Sequence, residues 1–348
     1  MSLNSPVAAP TPAPPHRRAR VPASWLVVIV LVVAGSAVGV TVAYYTYNSP
    51  AASGTCTSNP SSGNFSITDD LSRCVTAPYN PARVAVLSPS IMDPVYRLGL
   101  RSHVVAVDCY ADAFGGLTED YSSDQIQWWN LTQSMCVQVG PTFSLEDLAN
   151  ATPQLVLAST IISLTAVDDI ETTLGIPVVM LQPATVSGIL ADVTLIGEIF
   201  GISSAASALN GQLTAELANA SATRANDPTT PSVLVTYDVD SDGYWTFGSG
   251  TFGTSLVNLS GAASISGSDP NPYPELPAET VLAANPAFVV YGTGFGLNES
   301  YYAGAPDWSS IPAVENGHAV GLDSNYLTEP DPTMILVGLP ALLAVFHP

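Results

Sequence analysis

The stretch Arg83–Asp112, RVAVLSPSIMDPVYRLGLRSHVVAVDCYAD, decides the fold. Val84–Leu87 is a short apolar run closed by the turn Ser88-Pro89-Ser90. Met92–Leu98 reads as helix, and Val104–Val107 is a second apolar run. Runs this short suit strands buried on both faces, and a helix between two of them suits a parallel crossover. Outward from this unit the pattern repeats. Leu155–Ser159 and Val178–Leu181 are strand candidates, with Leu145–Ala149 helical. A long helical stretch follows over Val186–Asn226. Ile189, Val193, Ile196 and Phe200 mark its apolar face, Leu209, Leu213 and Leu217 continue it, and Pro228 and Pro231 end it. A second alternating set then begins: strands at Val233–Tyr237, Phe288–Tyr291 and Ala319–Leu322, helices near Gly253–Ser260, Ala278–Ala284 and Pro332–Phe346. The expected fold class is α/β. Two Rossmann-like lobes, residues 81–185 and 228–348, are joined by a single long connecting helix at 186–227, with a ligand cleft between the lobes.

Upstream, Trp25–Tyr45 reads WLVVIVLVVAGSAVGVTVAYY and holds no charged residue. Its length matches the ~20 apolar residues that cross a bilayer as a helix. Trp25 lies at one end and Tyr44, Tyr45 and Tyr47 at the other, which suits interface anchoring. Arg17, Arg18 and Arg20 precede it, so the positive-inside rule keeps residues 1–24, a Pro/Ala-rich tail expected to be disordered, in the cytoplasm. The remainder is then outside the cell, on a Ser/Pro/Asn/Thr-rich stalk at 46–80. A cleaved signal peptide is the rival reading, although its apolar core usually spans ~7–15 residues.

The chain has eight basic and 29 acidic side chains, and a formal net charge of −21. All eight basic residues are arginine, and five of them lie beyond the span. No basic patch is available to neutralise phosphates, so nucleic acid is excluded as a partner. Only 11% of residues are charged, which argues against a salt-saturated acidic surface and suits an acidic medium. Cys56, Cys74, Cys109 and Cys136 all follow the span, and an even count in an exported chain points to two disulfides. Neighbour pairing, Cys56–Cys74 and Cys109–Cys136, is preferred among three connectivities because each bridge closes a loop-rich stretch. Sequons at Asn64, Asn130, Asn150, Asn219, Asn258 and Asn298 make the exported part a candidate glycoprotein.

Six phrases in order resemble the substrate-binding proteins of ABC importers for iron–siderophores, haem and vitamin B12. They are Arg83–Asp112, Val139–Ser159, Ile176–Gly201, Phe247–Ala262, Tyr273–Gly294 and Trp308–Asp323. The resemblance covers about residues 83–348. It implies a bi-lobed receptor with little lobe motion, no cofactor and no catalysis. The protein would be a monomer that delivers a metal chelate or corrinoid to a permease with a cytoplasmic ATPase. It also implies one permease-docking glutamate per lobe, Glu146 and Glu279. The competing reading of those acids is helix-start chemistry, with Ser144 as cap.

Strand-end loops line the cleft in this reading. The candidate ligand-binding residues are Ser88, Tyr110, Trp128, Trp129 and Phe143 in the first lobe, and Trp245, Phe252, Tyr273 and Tyr326 in the second. Aromatic faces hold large flat ligands well. Tyr273 stands out because Pro272 and Pro274 stiffen it, and adjacent Trp128 and Trp129 cannot both face a core. Thr328-Glu329-Pro330-Asp331-Pro332 stands where the family often has arginine, which favours a neutral or cationic ligand over an anionic one.

Gly248–Gly253 fits G-x-G-x-x-G, but no nucleotide role is expected at an exported cleft mouth; its backbone N–H groups remain candidates to grip a ligand oxygen. His16, His103, His318 and His347 form no cluster, so neither a His-built metal site nor a nucleophilic triad is expected. Two other functions stay open on the residues alone. One is an anchored hydrolase on the same scaffold, and the other is a surface receptor that kept the fold without transport.

Overall fold

A computed structural model describes Cys56 and residues 63–110, 121, 123–139, 143–183, 185–294 and 297–348. The Trp25–Tyr45 stretch, the tail before it and the stalk up to residue 62, apart from Cys56, lie outside the described residues. Among the described residues no helix is long and apolar enough to cross a membrane.

The first lobe holds β3 (Val84–Leu87), β4 (Val104–Tyr110), β5 (Cys136–Val139), β6 (Leu155–Ala158) and β7 (Val178–Met180), after a hairpin of β1 (Asn64–Thr68) and β2 (Cys74–Pro78). The five strands form one parallel sheet in the order β5-β4-β3-β6-β7. Its apolar runs are continuous because both faces are covered. Val84 and Val86 face one core, while Ala85 and Leu87 face the other.

The second lobe holds β8 (Ser232–Val239), β9 (Tyr244–Thr246), β10 (Ala263–Ser264), β11 (Glu275–Leu276), β12 (Phe288–Thr293) and β13 (Ala319–Asp323). The order is β11-β9-β8-β12-β13, with β10 beside β8. β10, β8, β12 and β13 run parallel, and β9 is antiparallel to both its neighbours. The two sheets repeat one plan. Helices Leu145–Ala151 and Ala278–Ala284 have seven residues each, and each ends on a left-handed residue before a proline, Thr152 and Asn285.

Two expectations are corrected. Residues 64–78 are not stalk: β1 and β2 pair, and Phe65, Ile67, Val75 and Ala77 are buried in the first lobe. Nor is the connector one helix. Val186–Ile199 stops and Ser203–Asn226 begins anew. Gly201 takes a left-handed conformation at φ +67°, and the Ile202 N–H donates to Gly197 O while the Gly201 N–H donates to Glu198 O. That is a Schellman stop, which glycine permits at no steric cost. The second helix then folds back along the first. Asn210 donates to Leu190 O at 2.9 Å, and a side chain at Gly197 would overlap Ala206. Only Ser203–Asn226, about 36 Å long, can serve as the connector. One apolar core runs from Val84 and Val86 through Ile196, Leu209 and Leu213 to Val233 and Val235.

Both disulfides join neighbours as expected, Cys56–Cys74 and Cys109–Cys136. The first ties the chain to β2, and the second ties β4 to its neighbour β5.

Candidate ligand cleft

Both sheets turn the C-terminal ends of their parallel strands toward one interlobe seam. Ser90, Ile91 and Pro94 follow β3, Leu181 and Pro183 follow β7, and Pro330 and Pro332 follow β13. All of these line a single narrow pocket with Ile189, Asp192 and Ile196. Strand C-terminal ends are where open α/β sheets bind ligands.

On the first-lobe side, Ser88 and Ser90 are buried and share a hydrogen bond of 2.8 Å. Thr160 donates from N and Oγ1 to Gln182 Oε1, which fixes the ends of β6 and β7 together. Phe143 is half-buried and packs on the outer core. Trp129 is a correction. It is 4% exposed, packed against Tyr96 and Tyr121, so it supports the core and not a ligand. The backbone turns at Trp129 after the Ser123–Trp128 helix, and Arg101 Nε caps its carbonyl. The side chains of Tyr110 and Trp128 lie outside what is described, as do residues 111–114.

On the second-lobe side, Phe247 gathers three rings: Tyr237 at 4.9 Å, Phe252 at 5.7 Å and Tyr273 at 6.2 Å between centroids. Tyr273 is half-buried. Burial, and then the charge of Glu329, push its hydroxyl up to about 12. Burial and the neighbouring Tyr273 and Asp238 push Tyr237 higher still, so both phenols stay neutral donors. Tyr326 is half-buried on the short helix Asn325–Thr328. Trp245 is half-buried in β9 and spends its indole N–H on Asp240 Oδ2 at 3.0 Å, within the β8–β9 turn. Tyr237 was legible only as a strand end; a tyrosine closing a buried strand is the signal that marks it.

The glycine-rich turn Gly248–Gly253 does not present its first amides to a ligand. Gly248 N donates to Pro272 O and Ser249 N to Asp269 O. Thr251 caps the Phe252–Leu259 helix, and Thr254 Oγ1 donates to Gly248 O at 2.7 Å. A Cβ at Gly248 would overlap the Asn271 carbonyl oxygen. Gly248→Ala is therefore expected to cost about 1–3 kcal/mol in urea unfolding and to disturb the loop that carries Tyr273.

Four of the five arginines beyond the span are committed away from the aromatic group. Arg83 donates to Thr152 O and Ala151 O, Arg101 to Trp129 O and Asn130 O, and Arg73 to Asp69 and Val178 O. Arg97 pairs with Asp93 at 2.7 Å. Glu146 and Glu279 are both exposed in the first turns of their helices, and Ser144 does cap its helix through Asp147 N. His103 and His318 are edge residues that bond Pro81 O and Ala287 O.

A family model described as periplasmic binding protein matches residues 84–326, well over half of the chain. The chain belongs to that family. A cobalamin-binding protein of Halobacterium salinarum is 26% identical over 277 residues, covering 77% of this chain and 70% of that one. Among solved structures, the molybdate periplasmic binding protein MolA of Haemophilus influenzae has a TM-score of 0.69 at 17% identity, covering 81% of this chain and 91% of that one. The periplasmic vitamin B12 binding protein of Vibrio cholerae has a TM-score of 0.60 at 18% identity, covering 77% and 97%. These structures share the fold. Family members are binding proteins and not enzymes, so this periplasmic binding protein is a solute receptor and the hydrolase reading falls.

Proposed function

We propose that this receptor serves an ABC importer and takes a corrinoid or a neutral to cationic metal chelate. The observation that carries the reading is the half-buried pair Phe252 and Tyr273, seated at the strand ends on a buried base of Phe247 and Tyr237, with the Tyr273 phenol as a neutral donor. Flat faces and neutral donors suit a corrin or a wrapped metal better than a free anion. The Halobacterium salinarum relative supports the same ligand class.

Trp25–Tyr45 holds the receptor on the outer face of the membrane as a single-pass monomer. Glu146 and Glu279 dock it, one per lobe, on basic residues of the permease. The six sequon asparagines are all exposed, so glycan attachment meets no steric bar.

A thermal-shift series on the detergent-solubilised full chain tests the ligand class. Cobalamin or a neutral ferric hydroxamate at 100 Kd is expected to add about 2.7 kcal/mol of stability. A shift with molybdate or a ferric catecholate, and none with the others, would overturn it. Binding without uptake in cells that carry the neighbouring permease would instead favour a receptor outside transport.

A further inference from the structure

The interlobe seam gathers more carboxyl groups than it can balance. Helix Pro89–Arg97 of the first lobe supplies Asp93 and Arg97, and the segment after β13 supplies Glu329 and Asp331. Helix Val186–Ile199 supplies Asp192, and the β1–β2 turn supplies Asp70. Asp93 accepts from Arg97 Nε at 2.7 Å, from Thr333 Oγ1 at 2.9 Å and from Thr333 N at 3.2 Å. Arg97 also donates to Thr333 Oγ1 at 2.6 Å, so these bonds cross from one lobe to the other. Asp331 is 3% exposed and accepts from Met334 N at 3.0 Å. Asp192 is 6% exposed, lines the pocket with Pro330 and Pro332, and hydrogen-bonds Asp70, which in turn accepts from Gln182 N. Asp69, next to Asp70, is matched by Arg73. Five carboxyl groups thus meet near the seam, where Asp93 alone bonds the Arg97 guanidinium and Asp331 feels its charge.

We propose that the seam is a proton-held clasp: the pairs Asp93–Asp331 and Asp70–Asp192 each bind one proton while the lobes are packed together, and losing those protons loosens the lobes. Two carboxylates side by side in a low dielectric cannot both ionise. In the first pair Asp93 keeps the charge, because Arg97 and Thr333 supply its donors. Burial and the charges of Asp93 and Glu329 hold the Asp331 carboxyl well above the usual range. In the second, burial and Asp70 push Asp192 up to about 8. A raised folded value means that the packed state binds protons that the unfolded chain releases. The contribution is complete below the unfolded value of 3.8 and is lost as pH rises through about 8. A lysine-free, charge-poor chain built this way is suited to a proton-rich medium. The proposal is independent of the ligand.

The test is the pH dependence of unfolding free energy of the full chain in detergent from pH 5 to 9, with hydrogen exchange at the Thr333 and Met334 amides corrected for intrinsic rate. Stability is expected to fall with rising pH at a slope to which the seam contributes about two protons, beside the proton of Glu275, which burial and Asp240 push up to about 7, and the two amides to lose at least about tenfold protection in step. The double variant Asp192→Asn, Asp331→Asn should remove about two protons from the slope and flatten the exchange curve. If that variant does not fold, Asp192→Asn alone should remove about one proton from the slope. A flat wild-type curve, or a slope that the double substitution leaves unchanged, overturns the proposal. A slope that falls while exchange at the seam stays unchanged overturns the clasp and leaves the pairs as local stability elements.

Discussion

Arg73→Ala is expected to destabilise the protein by about 3–5 kcal/mol, the usual cost of stripping one partner from a buried pair. Asp69 is 4% exposed and sits in the β1–β2 turn. Arg73 holds its carboxylate through Nε at 2.8 Å and a second contact of 2.8 Å from the other arm, while Arg73 NH2 also reaches Val178 O at 2.6 Å. One guanidinium therefore closes the turn and nails the hairpin to the edge strand β7. Without it, Asp69 keeps only backbone donors from Leu71, Arg73 and Met180. Chemical denaturation should show the loss, and Arg73→Lys should recover only part of it, since an ammonium cannot bridge carboxylate and carbonyl in one plane. Asp69→Asn combined with Arg73→Ala should be milder than Arg73→Ala alone, because the orphaned charge is gone. A loss below about 1 kcal/mol for Arg73→Ala would place this pair with ordinary surface bridges.

Glu146→Gln with Glu279→Gln is expected to cut ligand uptake by roughly tenfold or more while leaving ligand affinity unchanged. Both acids are exposed on first turns of matching helices in the two lobes, so they form two separated charges on one protein. Two-point electrostatic docking sets encounter rate and register, and it weakens with salt. Each single variant should cause a smaller loss. The helix-start reading makes a different forecast. Replacing Glu by Gln costs only a few tenths of a kcal/mol of dipole interaction and leaves uptake intact. Uptake assays at two ionic strengths, beside binding measured on the isolated receptor, separate the two. Undiminished uptake by the double variant would remove these residues from docking.

Much of the fold was legible in local pattern. The strands at Val84, Leu155, Val178, Val233, Phe288 and Ala319 are apolar runs bounded by turn residues, and they form the parallel parts of the two sheets, with those at Val178 and Ala319 on the edges. Burial on both faces leaves no alternation to misread. Neighbour pairing of the cysteines was legible too. The strands that escaped notice are short or at edges: β5 (Cys136–Val139), β9, β10 and β11. Unlike the equally short β3, β6 and β7, they hold no unbroken run of Val, Ala, Leu or Met side chains, and their pairing partners alone define them. The β1–β2 hairpin hid in a Ser/Thr/Asn-rich stretch for the same reason. Its buried set, Phe65, Ile67, Val75 and Ala77, has meaning only once the first lobe is present to cover it.

The candidate site divides along the same line. Tyr273 was singled out in the sequence by its flanking prolines and Phe252 as a residue of a strand-end loop, and both are half-buried on Phe247. Trp129 failed because two adjacent tryptophans announce only that they differ in environment, not which one the core takes. The connector failed at Gly201. The i+4 apolar spacing continues on both sides of the stop, so the stripe looks unbroken, yet a left-handed glycine reverses the chain.

By itself the sequence determined the α/β class, the two repeated lobes, the family, the disulfide partners and an apolar span ahead of them. The class, the lobes and the span follow from local runs, caps and spacing, which need no distant partner; the family follows from the resemblance of six phrases in order, and the cysteine pairing was one preference among three. The tertiary structure alone decided which aromatics share a face, where the connector turns, and which acids meet. Asp70, Asp93, Asp192 and Asp331 lie far apart along the chain. Each is unremarked as a residue, and the seam gives them a common charge problem because packing removes the water that would otherwise keep them independent.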